Sequence, residues 1–206
     1  MTPQSTEPTV KCLILDFGEV LTRAQPSHLV KKMARIAGVP IDDFQSRYWR
    51  HRAEYDGGLT GSEYWTRVLD GLEVSAARIE QLTEADEASW SDLRVDMWDL
   101  AAAFRARGGR TAMLSNGVHE VIARIRAGRR LETWFDAVVV SCEVGRCKPD
   151  PVIYRICLDR LGCSAADTLF VDDRVENLEA AAAEGLRTLH FTGDATVRAL
   201  RELLRL

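Results

Sequence analysis

Short apolar runs alternate with longer, helix-like segments along most of the chain. Five runs stand out, and they cover residues 10–16, 111–115, 137–141, 168–172 and 187–191. Nearly continuous apolar runs of this length are typical of parallel strands that helices cover on both faces. This alternation predicts an α/β fold built on a parallel sheet.

Helix boundary signals between the runs support this interpretation. Asp150 and Pro151 provide an N-cap and a first-turn proline for a helix that should stop at Gly162. Residues 175–184 are rich in alanine, and residues 195–206 carry leucines at helical spacing. We therefore expect helices between and after the later strands.

More than 90 residues separate the first run from the second, although a simple crossover needs only about a dozen. In this interval Leu29, Met33 and Ile36 recur at helical spacing, and the segment from Thr60 to Glu63 has the form of a capping box. The sequence thus predicts a helical insert. Its aromatic residues should form the core of a small bundle, with a few of them lining a pocket over the sheet. They are Tyr48, Trp49, Tyr55, Tyr64, Trp65, Trp90 and, at the exit, Trp98.

Charge and hydropathy exclude several classes of partner. The net charge is -4 and the pI about 5.6, so no broad positive field is present to attract nucleic acid. We interpret the densest basic cluster, residues 124–130, as a solvated helix face. The first nine residues lack the apolar region of a signal peptide, and no apolar run is long enough to span a bilayer. We expect a cytoplasmic protein with no membrane partner.

The five cysteines are an odd number and include no CxxC pair, and no histidines complete a zinc spacing. Reduced thiols in a cytosolic protein are the expectation.

Polar residues stand where several predicted strands end. Asp16 ends the first strand, Asp172 and Asp173 end the fourth, and Lys148 lies in the loop after the third. Singly, each has an ordinary explanation as a helix cap, a turn or a surface residue. Ligands in such sheets bind outside the carboxyl ends of the strands, where these side chains should gather. Crowded carboxylates need a cation, and oxygen ligands suit Mg²⁺, so we expect a magnesium site.

Four segments, in this order, resemble the motifs of the haloacid dehalogenase superfamily: LDFGEV, LSNG, GRCKPDPVIY and LFVDDRVENLEAAAAEGLRTLHF. The resemblance extends from Val10 onward and is to the phosphatase-like branch that carries a helical cap after the first strand. It implies a Rossmann-like doubly wound parallel sheet. Residues 1–22 and 100–206 would form the α/β core domain, and residues 23–99 the inserted α-helical cap.

The resemblance also implies catalytic roles. Asp16 would be the nucleophile that attacks phosphorus and forms an aspartyl-phosphate. Ser115, with the backbone N–H groups of Asn116 and Gly117, would hold the phosphoryl oxygens. Lys148 would neutralise Asp16 and the transferring group. Such electrostatic stabilisation is needed because a carboxylate and a phosphate dianion repel each other.

A Mg²⁺ ion is the cofactor that the resemblance implies. Asp16 would be one of its ligands, and Asp173 would bind it directly. Asp172 would act through water or as a second ligand, and the backbone carbonyl of Gly18 would also reach it.

Gly18 departs from the usual phosphatase motif, which has at this position an aspartate that protonates the leaving group and later activates water. General acid–base assistance is worth roughly 10² to 10⁴-fold in rate. A substrate with a good leaving group, such as a sugar 1-phosphate, an acyl phosphate or an aryl ester, would tolerate the loss. A substitute acid is the other solution. The candidates are Glu19, His28, His51, Glu54, Asp56 and Glu63.

These features predict a Mg²⁺-dependent phosphomonoesterase that acts on a small phosphorylated metabolite, as a monomer or homodimer. A 2-haloacid dehalogenase is the enzymatic alternative, since it also lacks the second aspartate, although it has no need of the Asp172–Asp173 pair. A non-catalytic module that binds phosphate and metal is the other alternative, and only Gly18 favours it.

Overall fold

The computed structural model describes residues 10–206. Five strands form its sheet: β1 Cys12–Leu15, β2 Arg110–Ser115, β3 Ala137–Val140, β4 Thr168–Asp172 and β5 Arg187–His190. Five helices lie between β1 and the segment that returns to the sheet: α1 Ser27–Ala37, α2 Ile41–Arg50, α3 Arg52–Asp56, α4 Gly61–Val68 and α5 Ala76–Ser89. The remaining helices are α6 Val95–Ala106, α7 His119–Gly128, α8 Leu131–Trp134, α9 Ser141–Val144, α10 Pro151–Leu161, α11 Val175–Ala183 and α12 Asp194–Leu203.

All five strands are parallel, in the order β3-β2-β1-β4-β5. The chain builds the sheet outward from β1 to one side and then returns to build the other side. The order therefore reverses between β1 and β4, which is where such sheets bind ligands. The predicted Rossmann-like doubly wound parallel sheet with helical insertion is confirmed.

Successive side chains of β1 point to opposite faces of the sheet, and because both faces are covered the whole strand is apolar. Leu13 and Leu15 belong to the larger hydrophobic cluster, which the inserted helices also join. Cys12 and Ile14 belong to a second cluster on the opposite face, beneath α10 and α11. Because both faces are covered, neither has a place for a polar side chain until the strand ends at Asp16.

The helical insert is attached by two adjacent connections. Thr22 and Leu93 form an isolated antiparallel bridge, and Arg94 N–H donates to the carbonyl of Leu21. The capping box between Thr60 and Glu63 forms as predicted at the start of α4. Pairing of the two connections places the helical bundle over the carboxyl edge of the sheet.

Most of the aromatic residues of the insert form its core, as expected. Tyr48, Tyr55, Tyr64 and Trp65 are almost fully buried. Trp49 instead is 52% exposed, and Trp90 is half-buried. The two exceptions are the tryptophans that border the site described below.

The expectation of five reduced thiols is wrong in one respect. Cys12, at the start of β1, and Cys163, just after α10, form a disulfide, whereas Cys142, Cys147 and Cys157 are unpaired. These two cysteines are 151 residues apart in sequence, and only the packing of α10 against the sheet brings their backbones to a Cα–Cα distance of 6.6 Å.

The basic cluster on α7 is only partly a solvated face. Arg124 and Arg130 are exposed, but Arg126 pairs with Glu143. The guanidinium of Arg129 lies 5.3 Å from the ring centroid of Trp98. Within the described part of the chain, no helix is long and apolar enough to cross a membrane. The prediction about the first nine residues lies outside the described residues.

Candidate active site

Asp16 lies directly beyond β1, at the reversal point of the strand order. Its backbone is extended, and its N–H donates to the carbonyl of Val171 on β4 at 3.0 Å. The chain then enters a π-helical turn, Phe17–Leu21, which is interrupted at Gly18 and Glu19. Glu19 has a φ of 57°, a value that is uncommon for a residue with a side chain. This turn leaves the Asp16 side chain 9% exposed at the floor of a cavity.

Lys148 connects two of the predicted acidic residues. Its Nζ donates to Asp16 Oδ1 and to Asp172 Oδ2, each at 2.6 Å, and to the carbonyl of Leu114 at 3.1 Å. The side chain is 1% exposed. Asn116 fixes the lysine's backbone: Asn116 Nδ2 donates to the Lys148 carbonyl at 2.8 Å, and Lys148 N–H donates to Asn116 Oδ1 at 2.7 Å. Lys148 is thus held at its backbone by Asn116 and at its ammonium group by Asp16, Asp172 and the Leu114 carbonyl.

Asp172 is fully buried and its oxygens are well satisfied. Oδ1 accepts hydrogen bonds from Arg174 N–H at 2.8 Å and from Asn177 Nδ2 at 3.0 Å, and Oδ2 accepts from Lys148. Sequence reasoning missed Asn177. The available signal is its position in the first turn of α11, five residues after Asp172, which turns the amide back toward the strand end.

The carboxylates of Asp16, Asp172 and Asp173 form a compact acidic cluster. Each offers an oxygen, and these oxygens all lie within 4.8 Å of one another. Burial, together with the charges of Asp172 and Asp173, raises the pKa of Asp16 to about 8, although Lys148 acts in the opposite direction. Burial and the charge of Asp172 also raise the pKa of Asp173. For Lys148, burial alone would lower the pKa, but its two carboxylate partners raise it.

One buried ammonium group therefore does not offset three crowded carboxyl groups. A divalent cation would relieve the remaining repulsion, and a set of oxygen donors with none from nitrogen or sulfur suits Mg²⁺. The residues present fit the predicted cofactor.

Ser115 and Gly117 lie at the end of β2, where the resemblance places the phosphoryl-binding loop. Ser115 is buried. A Cβ on Gly117 would lie 3.3 Å from both Ser115 Oγ and a Val140 methyl group, so the close approach of this loop favours glycine. The Gly117 N–H donates to Ser141 Oγ at 3.0 Å. The Gly117 N–H, which was predicted to bind a phosphoryl oxygen, therefore already donates to a protein hydroxyl group.

The cavity above Asp16 has a volume of about 110 Å³. The sheet side contributes Asp16, Lys148 and Asp173, and the helical insert covers them. The lining residues from the insert are Trp49, Arg52, Asp56 and Trp90. A larger cavity of about 620 Å³ lies beside α6 and residues 133–136, and contains none of the predicted site residues.

Arg52 is the central residue of the cavity's roof, and sequence reasoning missed it. Its side chain is 9% exposed and donates to Asp56 Oδ1 at 2.9 Å, to Asp86 Oδ2 at 3.3 Å and to the hydroxyl of Tyr48. Its guanidinium also lies 5.7 Å from the ring centroid of Trp90. The buried pairings hold this side chain, and with it Asp56, in a fixed position.

The six candidates for a substitute acid separate clearly in space. Glu19 and Asp56 line the cavity. Glu63 is engaged in the capping box with Thr60, and Glu54 pairs with Arg67. The two histidines are not among the lining residues: His51 approaches Glu54, and His28 is exposed on α1.

A doubly wound α/β sheet with an acidic cluster and a buried lysine at its reversal point defines a hydrolase of the kind that the sequence motifs indicate. The chain belongs to the haloacid dehalogenase-like hydrolases, whose family model matches residues 10–185.

Relatives with assigned activities include two phosphatases that the chain covers almost completely. Sesquiterpene phosphatase astK from Aspergillus oryzae is 44% identical over 202 residues, 95% of this chain and 97% of that protein. Phosphatase MT3486 from Mycobacterium tuberculosis is 26% identical over 207 residues, 95% of each. By contrast, Acyl-CoA dehydrogenase family member 10 from Mus musculus is 36% identical over 111 residues, 52% of this chain and only 10% of that protein.

Solved structures share the fold. The HAD family enzyme bt-2542 from Bacteroides thetaiotaomicron, in complex with magnesium and inorganic phosphate, matches with a TM-score of 0.74 and 20% identity. The match covers 90% of this chain and 96% of that one.

Proposed function

We propose that this hydrolase is a Mg²⁺-dependent phosphomonoesterase that forms an aspartyl-phosphate on Asp16. The observation that carries the proposal is the buried Lys148 ammonium group, which contacts the Asp16 carboxylate while two more carboxylates lie within 4.8 Å. A nucleophilic carboxylate beside a phosphate dianion needs positive charge close by; Lys148 supplies part of it, and a cation held by the three carboxylates would supply the rest. The two phosphatase relatives support the same reaction class.

In the proposed reaction, the Asp16 oxygen that is not bound to Lys148 attacks phosphorus, and the alcohol leaves on the opposite side. Lys148 offsets the charge of Asp16 and of the transferring group. Ser115 and the loop N–H groups of Asn116 and Gly117 bind phosphoryl oxygens, for which the Gly117 N–H must exchange its hydroxyl partner. Water then cleaves the aspartyl-phosphate.

Asp16, Asp173 and the Gly18 carbonyl would hold Mg²⁺, with Asp172 behind them keeping Lys148 in place. The bound ion would supply positive charge that lets a carboxylate and a phosphate dianion approach each other.

The roof of the cavity favours a substrate whose alcohol has an apolar surface. Trp49 is 52% exposed at the cavity, and Trp90 lies beside Gly18. The relative that is 44% identical carries the name of a sesquiterpene phosphatase. We therefore propose a small phosphate monoester that combines an apolar or aromatic group with an activated leaving group. Sugar 1-phosphates, which lack the apolar surface, form the contrasting class.

The decisive experiment compares p-nitrophenyl phosphate, an isoprenoid monophosphate, a sugar 1-phosphate and a 2-haloacid, each with Mg²⁺ and with EDTA. Phosphate release that EDTA abolishes and that Asp16→Asn removes supports the proposal. Halide release that is indifferent to metal would instead identify a dehalogenase. Absence of turnover with all four compounds, together with a Mg²⁺-induced rise in Tm, would identify a binding module. Asp173→Asn should abolish that rise in Tm, a readout independent of activity.

A further inference from the structure

Position 18, two residues after the proposed nucleophile, lacks a side chain that could activate water in the second half of the proposed reaction. Gly18 has no side chain, and a Cβ there would lie 3.6 Å from Trp90 Cζ3 and 4.0 Å from Asp16 Oδ2. The indole ring thus borders position 18 at van der Waals distance. A base must therefore come from another part of the cavity.

The direction of attack on phosphorus indicates which side of the cavity must supply the base. In a displacement at phosphorus, the attacking and leaving oxygens are roughly in line, so the leaving group departs on the side opposite Asp16. Water later enters from the same side. Asp16 lies on the sheet side of the cavity, and the opposite side is formed by the helical insert. Within residues 10–206, Asp56 is the one carboxylate that the insert contributes to this cavity.

Hydrogen bonds fix the position of Asp56 and leave one of its carboxylate oxygens available to accept a proton. Its side chain is 14% exposed, and Oδ1 accepts from Arg52 Nε at 2.9 Å. Its backbone carbonyl accepts from Ser141 Oγ at 2.5 Å, which ties the end of α3 to the core domain. The hydrogen bonds of the described residues leave Oδ2 without a donor. One oxygen is therefore fixed, and the other remains able to accept a proton.

We propose that Asp56 is the general base of the hydrolytic half-reaction. The water oxygen forms a bond to phosphorus while Asp56 Oδ2 accepts a water proton. The bond between phosphorus and the Asp16 oxygen breaks, and its electron pair returns to the Asp16 carboxylate. The products are inorganic phosphate, ionised Asp16 and protonated Asp56, which returns its proton to solvent.

This assignment rests on the proposed function and makes a kinetic prediction of its own. With p-nitrophenyl phosphate the leaving group needs no acid, so Asp56→Asn should leave the first half-reaction, and therefore kcat/KM, within about threefold of the wild type. Hydrolysis should become rate-limiting, with kcat lowered by about 10² to 10⁴-fold. Rapid mixing should show a burst of one p-nitrophenolate per active site, and acid quenching should trap a phosphorylated Asp16.

Asp43→Asn is the matched control, because Asp43 pairs with Arg47 at the same i,i+4 spacing on α2, at an exposed position outside the cavity. It should change neither constant. The burst amplitude counts the folded, active sites, so a folding defect in Asp56→Asn would appear as a reduced amplitude. Equal losses in kcat and kcat/KM, or an unchanged kcat, would overturn the assignment.

Glu19 is the competing carboxylate, and it also borders the neighbouring cavity that contains Arg23 and Arg94. Trapped phosphoenzyme in Glu19→Gln but not in Asp56→Asn would move the role to Glu19. A wild-type enzyme that releases phosphate without ever phosphorylating Asp16 would instead refute the proposed function, and that outcome is distinct from failure of the Asp56 assignment.

Discussion

Replacing Lys148 with methionine tests the electrostatic centre of the site. The substitution keeps a side chain of similar length but removes a buried ammonium group and its three hydrogen bonds, to Asp16, Asp172 and the Leu114 carbonyl. Removing one partner of a buried ion pair costs about 3–5 kcal/mol, because the remaining charge is left uncompensated. Asp172 is 0% exposed, so water cannot replace the lysine there. We expect the free energy of unfolding to fall by that amount in EDTA at neutral pH.

The decrease in the free energy of unfolding caused by Lys148→Met should also depend on pH, and it should grow as the pH rises. Burial and the neighbouring carboxylates raise the pKa of Asp16 to about 8 in the wild type, and Lys148 lowers it, so the pKa must rise further in the variant. A carboxyl group with a raised pKa in the folded state lowers stability as the pH increases toward that pKa. The wild type completes this loss near pH 8, whereas the variant continues to lose stability. The difference between the two proteins should therefore widen above about pH 8.

Urea denaturation in EDTA, followed by far-ultraviolet circular dichroism at pH 6.5 and pH 9, would measure both effects. Lys11→Met is the control, since Lys11 forms a surface pair with Asp167 and its side chain is 67% exposed. Surface pairs contribute about 0–1 kcal/mol. The explanation of the site's electrostatics is wrong if the two substitutions lower the free energy of unfolding equally. It is also wrong if the difference in this free energy between the wild type and Lys148→Met narrows as the pH rises.

The sheet could be predicted from sequence because its strands are apolar on both faces. Residues 168–172 were predicted with the observed bounds, and the other runs differ by one or two residues at an end. At Val10 the apolar pattern continues beyond the last ladder pairing, because this residue is buried without belonging to β1. β2 instead begins one residue earlier than predicted, because the polar Arg110 still pairs with Cys12. The clustering of Asp16, Lys148 and Asp172 was also predictable, since the carboxyl ends of parallel strands meet at one edge.

The roof of the site could not be predicted in the same way. Asp56 was one of six candidates, and nothing in its local sequence distinguishes it from Glu54 two residues earlier. The distinction is spatial: Asp56 faces the cavity beside Arg52, whereas Glu54 pairs with Arg67 on the surface. The disulfide was missed for the same reason, because a count of cysteines carries no information about two positions that meet only after the sheet has formed.

Two further substitutions test interactions outside the catalytic cluster, one within the core and one between the core and the insert. Burial by itself raises the pKa of Asp136, but hydrogen bonds from Thr111 N–H and Arg105 lower it below its usual value. Its stabilising effect should therefore be present at neutral pH and be lost as the pH falls through the lowered pKa. Asp136→Asn should be about 1 kcal/mol less stable than the wild type at pH 7, and this deficit should shrink as the pH falls below the ordinary aspartate pKa of 3.8, as measured by urea denaturation; a deficit that grows in acid would contradict this. Between the insert and the core, Glu120 of α7 accepts from Gly61 N–H of α4 at 3.0 Å, and a Cβ on Gly61 would lie 2.6 Å from Glu120 Oε1. Gly61→Ala should displace this carboxylate, loosen the contact between the insert and the core, and lower kcat/KM several-fold with little change in Tm. An unchanged kcat/KM would show that the position of the insert over the site does not depend on Glu120.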